Sequence, residues 1–339
     1  MTLRRVALAI IAAAGLSMAP QASQADMGKA PVGPNGFYIG FEGGFLHQDG
    51  ADINGHGIVF TPGGPVSDVK VSPDNGYFVG GLIGYENGTP FLFGFHRVEL
   101  YGLFGEADDS ASNTAPPLAD IVLKTVDAET LGATGGLTGS TSTERRTWEF
   151  ALRFEDDDVV NSTTTVTWVF APFIRSFEED TDTVVTTATC CGGCCEFRRG
   201  ADVDATLYGI YVAAEPETWL SSNLALVARL GAGIYGYDGD GSFRSSSTAT
   251  PPDLFAAHVT DGESGVGFRG LLGIGLKLKI TSMTLLEGFA EADYFSDVPS
   301  THLSSNDRNE GYVSHVTEDD LWELRTGLRL TVGLGQAPN

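Results

Sequence analysis

Val266-Gly267-Phe268-Arg269-Gly270-Leu271-Leu272-Gly273-Ile274-Gly275-Leu276-Lys277-Leu278-Lys279-Ile280 decides the fold. Val266, Phe268, Leu272, Ile274, Leu276, Leu278 and Ile280 share one parity, while Arg269, Lys277 and Lys279 take the other. Period two is the signature of a strand with one apolar face. The stretch exceeds the ~9–11 residues with which a tilted strand crosses hydrocarbon, and it outruns the ~5–6 residues of an ordinary strand. Working outward, Trp322, Leu324, Leu328, Leu330, Val332 and Leu334 alternate with Glu323, Arg325 and Arg329. Trp148, Phe150, Leu152 and Phe154 alternate with Glu149, Arg153 and Glu155 in the same way. Ten such windows run along the chain, at 37–46, 77–86, 95–105, 147–155, 165–177, 205–214, 223–237, 264–280, 284–295 and 321–334.

Their charges sit on the parity opposite the better apolar face. The bases are Arg97, Arg153, Arg175, Arg229, Arg269, Lys277, Lys279, Arg325 and Arg329, and the acids are Glu42, Glu86, Glu99, Glu149, Glu155, Glu287, Glu291, Asp293 and Glu323. A barrel in lipid places apolar side chains outside and charges inside. The spacers alternate without exception: 47–76, 106–146, 178–204, 238–263 and 296–320 are long, whereas 87–94, 156–164, 215–222 and 281–283 are short. Short periplasmic turns and long external loops give that rhythm; a soluble sandwich has no reason for it. The expected fold is all-β, a closed antiparallel transmembrane barrel of ten strands within a range of eight to twelve. An additional pair would come from 57–71 or 120–131.

The N-terminus carries Arg4 and Arg5, an apolar run over 6–19 and the small-x-small end Ser23-Gln24-Ala25. This reads as a signal peptide over 1–25. A periplasmic segment over 26–36, a barrel over 37–334 and a tail over 335–339 are expected to follow. The whole chain holds 20 bases and 44 acids, a net charge of −24; repulsion from phosphates excludes a nucleic-acid partner. A charged fraction of 19% and an aromatic fraction of 10% exclude a disordered chain.

The first strand, Gly36-Phe37-Tyr38-Ile39-Gly40, and the last, Trp322-Glu323-Leu324-Arg325-Thr326-Gly327-Leu328-Arg329-Leu330, together with the signal peptide, resemble those of Gram-negative outer-membrane β-barrels, including small porins and opacity-type surface barrels. The resemblance implies an outer-membrane location, outer-membrane lipid as surroundings and the barrel assembly machinery as a partner. In those families the last strand usually ends on an aromatic residue. Here it runs to Leu334 and is followed by Gly335-Gln336-Ala337-Pro338-Asn339.

Bases and acids balance in the windows, so the excess of acid lies elsewhere, chiefly in the long loops. Such a rim suits lipopolysaccharide bridged by divalent cations; solvated loop charge with no specific partner is the plainer reading. Inside, Arg229, Arg269, Lys277, Lys279, Arg325 and Arg329 flank Glu287, Glu291, Asp293 and Glu323. Buried charges demand partners, and these ten are expected to form a lumenal cluster that narrows the bore as a partial electrostatic plug. A barrel of ten strands has little room beyond its own side chains.

Cys190, Cys191, Cys194 and Cys195 bracket Gly192-Gly193 in the third long loop, and the flanks 186–189 and 196–199 are suited to extending the strands outward. In an oxidising compartment disulfides are the expectation, with Cys190–Cys195 and Cys191–Cys194 nested across the turn as one of three connectivities. A zinc or copper(I) site is the alternative. No cofactor is expected, and no enzyme: there is no nucleophile motif, and His47 with Asp49 is the one local pair of the kind that general acid–base catalysis uses. The function classes that remain are a porin-like or structural barrel and a surface adhesin or binding protein acting through its loops.

Overall fold

A computed structural model describes residues 35–334, apart from stretches at 50–52, 57–58, 62–63, 67–68, 91–93, 116–119, 125–129, 135–136, 191–192, 248–254 and 304–313. The signal peptide at 1–25, most of the 26–36 segment and the 335–339 tail fall outside the described residues. Ten long strands close into one antiparallel barrel. They are β1 (Asn35–Asp49), β2 (Asn75–Asn87), β3 (Arg97–Ala115), β4 (Leu137–Val159), β5 (Thr164–Cys190), β6 (Gly193–Trp219), β7 (Leu224–Ser247), β8 (Phe255–Thr281), β9 (Thr284–His302) and β10 (His315–Gly333). Each strand pairs with its sequence neighbours, and β10 closes on β1 with Tyr38 opposite Gly333 and Asp49 opposite Trp322. Closure leaves no unpaired strand edge, the condition for backbone in hydrocarbon. Each of the ten alternating windows centres on one of these strands.

Four connections lie at the end that holds Asn35 and Leu334, three of them tight. Thr163 and Thr164 donate their backbone N–H groups to Asn161 Oδ1 in the β4–β5 turn, and Gly94 takes a φ of 90° between β2 and β3. At the opposite end the strands run on. β5 and β6 have 27 residues each, or ~90 Å of strand at about 3.3 Å per residue, far beyond a membrane's hydrocarbon. The windows 178–204 and 238–263 expected as loops are therefore largely strand. The reason is visible in the side chains. Inward threonines pair across strands, Thr141 with Thr183 and Thr143 with Thr181, each at 3.0 Å, while Asp180 and Asp182 point out. That alternation is polar on both faces and carries no hydrophobic period. The segments 57–71 and 120–131 contribute short strands to small separate sheets and add no strand to the barrel.

The outward face at the membrane level is apolar. Phe41, Ile83, Leu100, Phe150, Ile174, Ile210, Leu230, Ile274 and Leu328 are all exposed. Aromatic pairs flank this belt at both levels, Phe37 with Tyr85 near the short turns and Tyr294 with Trp322 near the long extensions, as interfacial girdles do. Beyond Ile174 the outward positions of β5 become Glu178, Asp180 and Asp182; beyond Ile234 those of β7 become Asp238 and Asp240. The register sets Glu178 opposite Asp204, Asp204 opposite Asp240, and Asp180 opposite Asp202. An acidic rim thus begins where the apolar belt ends.

Candidate functional site

The inward parity of the same strands fills the bore with ion pairs. At its centre lies Asp293 of β9, fully buried. Its Oδ1 accepts from Arg269 Nε of β8 at 3.2 Å, and its Oδ2 from Arg325 Nη2 of β10 at 2.7 Å. Arg269 also donates to Glu149 of β4 at 3.1 Å, and Glu149 accepts from Arg175 of β5 at 3.1 Å. Arg175 Nη2 lies 2.5 Å from Glu323 of β10, which accepts from Gln48 of β1 at 2.6 Å. The chain of contacts therefore crosses the lumen instead of following the wall. Aromatic faces complete two of these arginine sites: Arg175 stacks over Phe177 and Phe295, and Arg269 over Phe173 and Tyr211, an arrangement that favours a desolvated cation.

A second group lies nearer the short turns. Arg229 of β7 reaches Glu287 at 2.5 Å and Glu291 at 2.9 Å, both on β9, so the pairs span β8. Glycines on the intervening strand make this possible. A Cβ at Gly275 would meet Glu287 Oε1 at 2.4 Å, and one at Gly273 would meet Glu291 Cγ at 2.9 Å. Arg329 donates to Glu42 at 2.6 Å across the β1–β10 seam, and Tyr101 donates to the other oxygen of Glu42 at 2.7 Å. At the mouth, Arg153 contacts Glu155 at 2.9 Å and Glu215 at 2.7 Å, and Arg97 contacts Glu155 at 2.6 Å. These groups, with Tyr38, Glu217, Lys277 and Glu287, line a cavity of about 110 Å³. A second space of about 30 Å³ lies deeper, between Tyr101, Glu149, Arg269 and Arg325.

The outer end is filled differently. Val71, Ala201, Val203, Phe243, Leu303 and Val316 form a buried apolar cluster. The short strand Ile53–His56 pairs with Val69–Val71 and packs against β4, β5 and β9, so the first external segment crosses from its origin at β1 over the mouth. Below the cluster, Arg145 and Glu179 form a buried ion pair, and Glu179 also accepts the Thr301 backbone N–H at 3.0 Å.

Of the ten charges expected in the lumenal cluster, Arg229, Arg269, Glu287, Glu291, Asp293, Glu323, Arg325 and Arg329 join one connected network. Lys277 stands opposite Glu287 in the register but pairs with Glu217 of β6. Lys279 lies at the mouth, opposite Leu285. Glu215 and Glu217 were missed because the sixth window ended at 214; they continue the odd, inward parity of Tyr211 and Ala213. Arg145 and Glu179 were missed because they lie in segments read as loop. His47 Nδ1 lies 3.1 Å from Asn75 Oδ1. The cysteine side chains lie outside the described residues. The backbone sets Cys190 opposite Gly193 and Cys195 opposite Thr187, with a register shift between Thr187 and Cys190.

A closed ring of ten antiparallel strands, apolar outside and charged inside, has the architecture of an outer-membrane barrel. No family model and no curated protein matches the chain. Solved structures of outer-membrane proteins align with most of the chain. The outer membrane protease OmpT from Escherichia coli has a TM-score of 0.48 and 8% identity over 89% of this chain and 97% of that one. A Pseudomonas aeruginosa FadL homologue has a TM-score of 0.25 and 8% identity over 88% and 90%. The Pseudomonas putida toluene transporter TodX has a TM-score of 0.20 and 8% identity over 89% and 91%.

Proposed function

We propose that the protein is an integral outer-membrane barrel whose bore is sealed, and that it works as a structural and surface-displaying element, not as a wide pore or an enzyme. The observation that carries this reading is the network around Asp293, whose Arg269–Glu149 and Arg175–Glu323 links join strands on opposite sides of the lumen and occupy the bore. The apolar cluster over the outer mouth supports it further. Export by a cleaved signal peptide and insertion by the barrel assembly machinery accompany this reading. The acidic rim directly above the apolar belt faces the headgroup zone, where divalent cations would bridge its carboxylates to lipopolysaccharide phosphates. The long hairpins then stand clear of the lipid as the surface that meets other molecules.

Single-channel recording in a planar bilayer tests the sealed bore. The unmodified protein is expected to give at most a small, noisy conductance with mild cation preference. Replacing Glu287 and Glu291 together by Gln strips Arg229 of both β9 partners, and the reversal potential should move toward anions. A large, stable conductance in the unmodified protein, indifferent to the double replacement, refutes the seal.

A further inference from the structure

The last external hairpin leaves the barrel between two histidines. β9 ends at His302 and β10 begins at His315, and the backbone register places them directly opposite one another. Their ring centroids are 4.7 Å apart at an interplanar angle of 42°. Directly opposed residues on antiparallel strands hold their Cβ atoms ~4.5–5.5 Å apart. Two imidazole nitrogens, each ~2.0–2.1 Å from one tetrahedral ion, sit about 3.3 Å from each other. The opposed backbone positions and the ring separation bring the two imidazoles within the range of a shared ion.

The neck is also held. Thr301, Leu303, Ser314 and Val316 are buried beside the pair. The Thr301 N–H is tied to Glu179, and the Val316 N–H donates to Asp261 Oδ2 at 3.0 Å. Both strands are therefore pinned by carboxylates of β5 and β8 within one residue of each histidine. Two donors already in place lose little freedom on binding a metal.

We propose that His302 and His315 form a two-imidazole site for a divalent transition ion of borderline softness, such as Zn²⁺, Ni²⁺ or Cu²⁺. Imidazole suits these ions, and Cu²⁺ binds tightest among them in a site without imposed geometry. Among the described residues no group of three or more His, Cys, Asp and Glu is placed to hold a metal, so this is an open site whose remaining positions take water or an incoming ligand. Bound metal staples the outer ends of β9 and β10 to each other. The site is separate from the lumenal network and from the cysteine hairpin, and it stands whether or not the bore conducts.

The test uses folded full-length protein in detergent, purified without a polyhistidine tag, with all four cysteines replaced by Ser to remove competing thiols. Cu²⁺ alone is the probe, followed by calorimetry and by electron paramagnetic resonance. One ion per chain is expected, with hyperfine structure from two nitrogens. His302→Ala and His315→Ala should each weaken binding at least tenfold and abolish the two-nitrogen pattern, whereas His258→Ala should change neither. Heat-modifiable gel migration verifies that each variant is folded; His302→Gln and His315→Gln replace any alanine variant that is not. An oxygen-only signal, or affinity unchanged within twofold in either histidine variant, overturns the site.

Discussion

Asp293 and Asp180 are both aspartates on barrel strands, yet their surroundings are opposite. Asp293 points inward and has a guanidinium against each carboxylate oxygen. Asp180 points outward, faces Asp202 across the β5–β6 pair and has Asp182 two residues along. In the lumen the surroundings are protein, and an unpartnered charge costs several kcal/mol. At the rim water screens the charges, so like charges opposite one another cost only tenths of a kcal/mol to about 1 kcal/mol. The fold therefore pairs the inner charges in detail and leaves the outer ones in rows. Inner charges serve closure, while outer ones are set out toward whatever lies beyond the membrane.

The largest effect should come from the inner set. Asp293→Asn keeps the shape but leaves Arg269 and Arg325 facing each other without their shared anion. Breaking one member of a buried pair costs ~3–5 kcal/mol. The midpoint of urea unfolding in detergent micelles, read by heat-modifiable gel migration, should fall accordingly. A shift of less than ~1 kcal/mol would mean that water reaches these groups and that the contrast with the rim is one of degree.

Next comes the glycine gap that lets β9 reach β7. Gly275→Val places carbon where Glu287 now passes, displacing it from Arg229. Overpacking of this kind costs ~1–3 kcal/mol, and the freed Arg229 should raise anion selectivity in the same bilayer recording. Gly270→Ala is the matched control. Its Cβ would find Phe268 at 3.6 Å and Tyr294 at 3.8 Å, ordinary contacts, and stability should not change measurably. Equal effects from the two substitutions would remove the gap from the account.

Most of the wall was legible because lipid imposes a period of two, with apolar residues on one face and charged or small ones on the other. The alternation of Leu272, Ile274 and Leu276 with Gly273, Gly275 and Lys277 located β8, and parity alone separated lumen from lipid. Two things escaped that reading. The extensions of β4 to β7 were read as loop because Thr181 and Thr183 inside and Asp180 and Asp182 outside are polar on both faces, so no hydrophobic period marks a strand there. Pairing across the bore also escaped it. Adjacent-strand logic sets the acids of β9 against the bases of its neighbouring strands, but contacts such as Arg269–Glu149, linking β8 to β4, depend on barrel curvature, which a sequence window does not contain.

The smallest predicted effect sharpens the outer half of the contrast. Burial, followed by the neighbouring charges of Asp202 and Asp182, raises the carboxyl of Asp180 above its ordinary pKa, against the pull of Arg244. A carboxyl raised in the folded state binds protons more readily there than in the unfolded chain, so once ionised it destabilises the fold. That penalty is fully present above the raised value and disappears below the ordinary aspartate pKa of ~3.9. Asp180→Asn should therefore stabilise the protein at neutral pH, by well under ~1 kcal/mol because the group is largely in water. The gain should shrink as pH falls through the carboxylate range and vanish below about pH 3.5. Unfolding midpoints of the two proteins at pH 7, 5 and 3.5 check the sign. A gain that stays constant with pH would indicate a packing effect of the amide, and a loss at pH 7 would mean that the attraction of Arg244 outweighs the repulsion of its acidic neighbours.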